Sequence, residues 1–449
     1  MTKRRIFAFL FTLCLLAGLA SPAAAIEEMS VQAGAALLVE ADTGEILYQQ
    51  NAHREMYPAS ITKVMTALLI CEAIDAGTLR EDQVITASES AFADMVSGGS
   101  SAGIKVGEEL TVRQLLQCLL VVSANEAANI LAEALCGEGN IAQFVEKMNA
   151  RAAQLGCENT HYVNPHGLHD ARHYTTAYDI YLIAAEAMSH ELFMELCTAS
   201  SIEIPATNKS DVRALSSTNY LIVPWRTYYN PEVRGIKTGS TPEAGHCLVS
   251  SAVRGSRTLI SVVLNTERVW LEEDGGYWYT YSFAETNRLF DWGFDSFEKT
   301  EVLSTDELIC EVPVSLSSEA SSVVVQPKES IERMMPIDLK PEEVERSVTL
   351  KENVEAPVAR GDELGELTLL YNGEVIGSTA LLAVNDVSAS RLLVAKRDAL
   401  AFLSQTWVKL AALGLVLLIV LILALTLSLR SRRYGRRRRG SSGYRGRRR

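Results

Sequence analysis

Basic residues are scarce through most of this chain. Of its 42 Lys and Arg, three (Lys3, Arg4, Arg5) lie before residue 26 and eleven lie after residue 429, which leaves 42 − 3 − 11 = 28 between them. All 55 acidic residues fall in that same middle stretch, so it carries about 28 − 55 = −27. A surface of that sign repels phosphate backbones and excludes nucleic acid as a partner. Cysteine is thin as well, eight in all with no Cys-x-x-Cys spacing. Setting Cys14 aside, Cys71, Cys118, Cys136, Cys157, Cys197, Cys247 and Cys310 are an odd set in mostly apolar contexts. That argues against a disulfide framework or a thiolate zinc site, while leaving room for one or two pairs. Histidine numbers seven. His161, His166, His169 and His173 are grouped, but in a Pro/Gly-containing loop with no glutamate placed as a general base, so no metal and no cofactor are expected. Internal repeats are absent.

Long apolar runs occur only at the two ends. Lys3-Arg4-Arg5, the run from Ile6 to Ala20 and Ser21-Pro22-Ala23-Ala24-Ala25 read as a secretory signal peptide over 1–25. Cys14 lacks the small residues that a lipoprotein site would place before it. Residues 410–429 are apolar apart from Thr426 and Ser428, long enough to span a bilayer. Trp407 and Lys409 precede the span as interface anchors, and the arginine-rich tail over 430–449 is the kind of flank that stays cytoplasmic. The expected topology is a bacterial single-pass membrane protein with its large domain on the extracytoplasmic face.

Between the ends, Ala35–Glu40 and Glu45–Tyr48 are strand-like runs joined by Asp42-Thr43-Gly44, a hairpin signal. A helix is expected to open at Ser60, with Pro58 and Ser60 as start signals and Met65, Leu68 and Leu69 as its buried stripe. Thr111 and Gln114 form a capping box ahead of a second helix. That helix runs into Ser123-Ala124-Asn125, and a third follows from Glu126 to Leu135. From Gly235 the chain turns strand-rich. His246–Arg254 and Arg257–Asn265 pair across Gly255-Ser256, and Thr280–Trp292 reads as a closing helix. Strands at both ends with helices between them predict one α/β (α+β) unit over 26–296, its antiparallel sheet built from the first and last segments. After Phe297 the composition shifts to short strands at 308–314, 322–326, 346–350, 366–371 and 378–383, which predict a small all-β domain over 297–387. Residues 388–409 would link it to the span.

The chemistry-bearing residues sit in three short segments. Ser60 and Lys63, three apart, share one helix face, so the lysine amine can lie beside the hydroxyl. A serine needs an adjacent base, and a lysine whose charge is destabilised by burial or a second cation can be one. A helix N-terminus also offers free backbone N–H groups to a developing oxyanion. By itself Ser-x-x-Lys is common and equally describes a cap followed by a solvated lysine. Ser123-x-Asn125 follows in a turn between helices, and Lys237-Thr238-Gly239 follows on a strand. The ordered set Ser-x-x-Lys, Ser-x-Asn, Lys-Thr-Gly resembles that of penicillin-binding proteins and serine β-lactamases.

The likeness narrows further. Tyr57 to Leu69, Asn164-Pro165-His166-Gly167-Leu168, Gly235 to Thr241, Leu289 to Phe294 and an all-β domain before a C-terminal anchor resemble the low-molecular-mass D-alanyl-D-alanine carboxypeptidases, peptidase family S11, over about residues 30–390. The resemblance implies a five-stranded antiparallel sheet and a helical cluster with the active site between them. It implies that Ser60 attacks the carbonyl between the terminal D-alanines of a peptidoglycan stem peptide, that Lys63 takes its proton, and that Ser123 bridges Lys63 and Lys237 to relay a proton to the leaving amine. Asn125 would hold the substrate amide. Lys237 and Thr238 would attract its carboxylate, Gly239 would let its backbone lie along the strand, and the N–H groups of Ser60 and Ser240 would form the oxyanion hole. Some relatives carry histidine where this chain has Ser240, so that side chain would tune specificity or deacylation. No carboxylate-binding arginine is assigned. β-Lactams would be covalent inhibitors.

Two other functions fit parts of the pattern. A β-lactamase would need a deacylating glutamate in a Glu-x-x-Leu-Asn loop, which the sequence lacks. A β-lactam sensor or wall-binding protein that acylates without turnover would place several spans before its binding domain. Two further matches are expected to be loops outside the chemistry: Gly99-Ser100-Ser101-Ala102-Gly103, which has the nucleophile-elbow spacing with no buried strand before it, and Ser217-Thr218-Asn219, which has no apolar helix before it.

Overall fold

The computed structural model describes residues 29–272, 276–339 and 343–437, with 430–437 as backbone only. The expected signal peptide and residues 438–449 of the tail lie outside the described residues. The chain forms two compact units. One is built on residues up to Thr300 together with Arg333–Leu339, the other on Glu301–Glu332 and the chain from Lys340 onward.

The first unit is organised by a five-stranded antiparallel sheet of β1 (Ala35–Glu40), β2 (Ile46–Gln50), β3 (Lys237–Thr241), β4 (Gly245–Arg254) and β5 (Arg257–Thr266), in the order β2-β1-β5-β4-β3. The first and last segments do make the sheet. Leu38 pairs with Tyr48 and with Ser261, and Ser240 pairs with His246. Successive side chains of a strand point to opposite faces, and here both faces are covered. Leu37, Val39, Val249 and Val262 pack with Val64, Met65 and Leu68 of helix α1 (Lys63–Asp75). Ala36, Leu38, Leu248 and Val263 pack with Leu289, Phe290 and Phe294 of helix α4 (Tyr281–Ser296). Helices α2 (Val112–Val121) and α3 (Asn125–Cys136) complete the cluster beside α1. Ten of the 13 residues of α1 are buried, as an apolar all-round helix must be.

One expectation needs correction. No α-helix opens at Ser60: Ala59–Thr62 form a 3₁₀ turn and α1 begins at Lys63. Ala59 is held at φ +48° and Thr62 Oγ1 donates to the Ala59 carbonyl at 2.8 Å, so the chain is wound too tightly there for α geometry. The capping box forms as expected. Thr111 Oγ1 accepts from Gln114 N–H, and the Gln114 side chain accepts from Thr111 N–H.

The second unit contains a five-stranded antiparallel sheet ordered Cys310–Pro313, Ser322–Pro327, Glu374–Ala383, Glu363–Tyr371, Glu345–Leu350. These are the five strands expected, the first shorter and the other four longer than the sequence suggested. Phe297–Leu303 and Ile331–Pro336 are further strands that the sequence reading missed. The stretch expected as a plain linker is mostly a helix, Arg391–Ser404. Its Leu, Ala, Arg and Lys content without Gly or Pro favours that state. The next helix carries Thr406–Leu429, 24 residues with an 18-residue stretch of mean hydropathy 3.1, long and apolar enough to cross a membrane. The seven cysteines among the described residues are all free thiols.

Gly293 marks how tightly α4 lies on the sheet, because a Cβ there would stand 2.6 Å from Leu38 Cδ2 and 2.9 Å from Leu259 Cδ1. Gly293→Val is expected to lower stability by about 1–3 kcal/mol through overpacking, read as a lower urea midpoint. A midpoint equal to that of the unaltered protein would contradict this packing.

Candidate active site

The three segments meet. The 3₁₀ turn bearing Ser60 is clamped between two glycines, each of which has no room for a side chain. A Cβ on Gly239 of β3 would lie 2.8 Å from the Pro58 carbonyl oxygen and 3.2 Å from the Ile61 nitrogen. A Cβ on Gly167 would lie 1.8 Å from the Ala59 carbonyl oxygen, and Gly167 is itself at φ +86°. The expectation gave Gly239 the task of admitting substrate. Its contacts show a second task, which is to let the strand touch the turn.

Lys63 is wholly buried at the floor of the site. Its Nζ lies 2.9 Å from Ser60 Oγ, 2.8 Å from Asn125 Oδ1 and 2.7 Å from the His166 carbonyl oxygen. Burial pulls the Lys63 pKa well below 10.5; the Lys237 charge pulls it down further and Glu126 opposes. Glu126 is also buried and is held by Ser101 Oγ and Ala102 N–H at 2.7 and 2.8 Å. The Asn164–Leu168 segment owes its place here to the His166 carbonyl. The His166 ring is fixed because Leu168 N–H donates to Nδ1 (3.1 Å), which puts the proton on Nε2 facing Asp94 Oδ2 at 2.9 Å. Burial lowers the His166 pKa against the raising effect of Asp94, so the ring is neutral.

Ser123 sits in the turn between α2 and α3 at φ +64°, a left-handed conformation costly for serine. Its buried Oγ has no hydrogen-bond partner among the described residues. The expected bridge from Lys63 to Lys237 through Ser123 is therefore not formed, and Asn125 rather than Ser123 bonds the Lys63 amine. Lys237 is buried, its Nζ donates to the Thr238 carbonyl at 3.0 Å, and burial brings its pKa down to about 7. Thr238 Oγ1 lies 2.6 Å from Thr218 Oγ1. Ser240 is exposed on β3. A cleft of about 210 Å³ opens over these groups, lined among others by Ser60, Ser123, Thr218, Thr238, Ser240 and Arg268.

The chain is similar in sequence and fold to known proteins. Residues 22–268 match the sequence profile described as D-alanyl-D-alanine carboxypeptidase, peptidase S11, and residues 297–389 match that of the C-terminal domain of penicillin-binding protein 5. The chain belongs to the S11 family. It is 31% identical to the D-alanyl-D-alanine carboxypeptidase DacF of Bacillus subtilis, with 85% of this chain and 92% of that protein covered. The structure of penicillin-binding protein 5 from Haemophilus influenzae is similar at 30% identity with a TM-score of 0.59, covering 80% of this chain and 98% of that one. Penicillin-binding protein D2 from Listeria monocytogenes in its cefotaxime-bound form is similar at 30% identity and a TM-score of 0.50, covering 59% of this chain and 98% of that one.

Several residues of this S11 carboxypeptidase were given no role at the site from sequence. Asp94 and His166 hold the loop that presents a carbonyl to Lys63. Ser217-Thr218-Asn219, set aside as a loop, reaches the cleft through Thr218, and Asn219 Nδ2 donates to the Gly235 carbonyl (2.9 Å) at the approach to β3. Ser100, in the other segment set aside, lines the cleft, and its carbonyl accepts from Asn125 N–H at 2.9 Å. Arg268 lines the cleft with its guanidinium 4.9 Å from the Trp278 ring centre. Asp94 and Arg268 have no short-range spacing that marks them. The four grouped histidines have separate neighbours: the Arg172 carbonyl for His161, Asp94 for His166, the Tyr57 ring for His169 and Thr62 for His173.

Gly239→Ala should push β3 away from the Ser60 turn, since the nearest atom it meets is backbone. The expected result is at least a tenfold slower uptake of fluorescent penicillin with little change in the unfolding midpoint. Unchanged uptake would show that the strand–turn contact is not needed.

Proposed function

We propose that this serine D-Ala-D-Ala carboxypeptidase works through an acyl-enzyme on Ser60, and the observation that carries the reading is the hydrogen-bond set around Lys63. A neutral amine has two N–H groups and one lone pair. Asn125 Oδ1 and the His166 carbonyl can only accept, so they take both N–H groups and leave the lone pair toward Ser60 Oγ. Ser60 can then give its proton to Lys63 as Oγ attacks the carbonyl between the two terminal D-alanines. The N–H groups of Ser60 and Ser240 take the oxyanion. Ser123, with its hydroxyl otherwise unengaged, gives its proton to the leaving amine and is reprotonated by the Lys63 ammonium, and the C–N bond breaks to leave an ester on Ser60 and a neutral Lys63. Water, activated by Lys63, then cleaves the ester and restores Ser60. Lys237, Thr238 and Arg268 receive the terminal carboxylate, and the Asn125 amide N–H donates to the peptide. A β-lactam would acylate the same hydroxyl. The stem peptide lies outside the cytoplasmic membrane, so the reading places the catalytic unit on the extracytoplasmic face, held by the helix over 410–429 with the basic tail inside.

Ser60→Ala should abolish both penicillin labelling and D-alanine release from a diacetyl-Lys-D-Ala-D-Ala peptide. Labelling that survives would rule Ser60 out, and labelling of the unaltered protein without D-alanine release would favour a sensor. The acylation rate should rise with pH as Lys63 loses its proton, with the rising limb well below the ordinary lysine value of 10.5. Because the Lys237 charge helps to depress the Lys63 pKa, Lys237→Met should move that limb to higher pH. A limb that stays in place or moves down would remove Lys63 as the base. The protein should also stay with the membrane pellet in carbonate, and a chain ending before Thr406 should be released.

A further inference from the structure

One ionisable side chain in the catalytic cleft has no part in the proposed chemistry. His246, near the start of β4, lines the same cleft as Ser60, Thr238, Ser240 and Arg268. Its ring is half-buried, and neither ring nitrogen has a hydrogen-bond partner among the described residues. His161, His166, His173 and His190, by contrast, each engage a neighbour through a ring nitrogen. Burial lowers the His246 pKa and the Arg268 charge lowers it further, so at pH 7 the ring is neutral, with one N–H and one lone pair. An N–H donor is thus left open to whatever enters the cleft.

Strand register decides which groups the ring meets. Residues directly opposite on neighbouring strands share a face of the sheet, as do residues two apart on one strand. His246 stands opposite Ser240 of β3 and opposite Thr266 of β5. Thr238 is therefore on the same face, a diagonal neighbour about 7–8 Å away and within reach of a ring side chain. The backbone at this point is pinned, because Thr266 Oγ1 donates to the His246 carbonyl at 2.9 Å. Arg268 approaches from the short strand Arg268–Leu271, where it pairs with Thr280, another cleft residue. Its charge is felt at the His246 ring, while Ser240 and Thr266 are uncharged. A hydroxyl, a guanidinium and an imidazole N–H thus border one part of the cleft, and all three can donate hydrogen bonds.

We propose that His246 is a further substrate-binding residue of this carboxypeptidase, its ring N–H donating to the terminal carboxylate of the peptide beside Thr238 and Arg268. A hydrogen bond to an ionised acceptor is stronger than one to a neutral group. The ring therefore adds to the preference for a free C-terminal carboxylate over an amide. An amide also turns an NH2 group toward Arg268, which has no acceptor to meet it. The inference rests on the catalytic reading, which puts the carboxylate at Thr238 and Arg268.

The test uses the full-length protein in detergent with diacetyl-Lys-D-Ala-D-Ala and the same peptide amidated at its C-terminus. His246→Phe keeps a ring but has no donor, and His246→Gln keeps an N–H donor. His246→Phe should raise KM for the acid by about tenfold, the lower end for a hydrogen bond to a charged group. The kcat for the acid and the kcat/KM for the amide should hardly change, and His246→Gln should recover most of the lost KM. A KM unmoved in His246→Phe, an equal loss for acid and amide, or a Gln variant as weak as the Phe variant would each overturn the assignment, with the catalytic reading intact. A binding measurement that leaves His246 in place guards against misfolding of these variants. In Ser60→Ala protein with nitrogen-15-labelled histidine, a ring signal should move on addition of the acid peptide and stay in place with the amide. A spectrum that responds to neither peptide, or to both alike, also overturns the assignment. If Ser60→Ala protein still takes up penicillin, the catalytic reading fails and takes this inference with it.

Discussion

A buried amine whose surroundings disfavour its charge is the constraint around which the catalytic unit is built. Lys63 is wholly buried at a helix start, and the charge of a second buried amine, Lys237, opposes its protonation. Both effects act in the same direction, against the charged form. Two oxygens that can only accept hydrogen bonds then fix which way the remaining lone pair points. The unfavourable burial of a lysine thus comes with a geometry that sets its amine 2.9 Å from one particular hydroxyl, which is the basis for proposing it as the base. Its chemical character comes from the enclosure rather than from the residue itself.

Holding that enclosure requires close approach of backbones that a generic fold would keep apart. The turn carrying Ser60 is squeezed between β3 and the Asn164–Leu168 loop, and at both faces the contact is made by glycine. Strain is concentrated at the same place. Ala59 and Ser123 are both in left-handed backbone conformations without being glycine. Such conformations persist only where the surroundings over-determine them. Here the surroundings are a sheet covered on both faces and a helix cluster whose central helix is buried on nearly every side.

A wider set of residues positions the first set without touching the reacting atoms. Asp94 orients His166, Glu126 ties down the Ser101–Ala102 loop, and Asn219 secures the approach to β3. Their partners are distant in sequence: His166 is 72 residues from Asp94, and Ser101 is 25 from Glu126. No local pattern announces pairs of that kind. The same holds for Thr218, whose hydroxyl meets Thr238 across a gap that only the folded sheet closes.

Short-range patterns determined a good deal. Alternating apolar residues and turn residues placed β1, β2, β4 and β5, a capping box placed the start of α2, and a long apolar run placed the helix after Thr406. Each depends on neighbours a few positions away, where the chain's own geometry decides. The three motifs also named the residues that meet at the cleft. What the tertiary structure alone decided was their relation. Ser60 lies in a 3₁₀ turn instead of a helix, Asn125 bonds the Lys63 amine where Ser123 was expected, and a loop set aside reaches the cleft through Thr218. Those outcomes depend on how far two backbones can approach and on which oxygen ends nearest a buried nitrogen, distances that no spacing along the chain encodes.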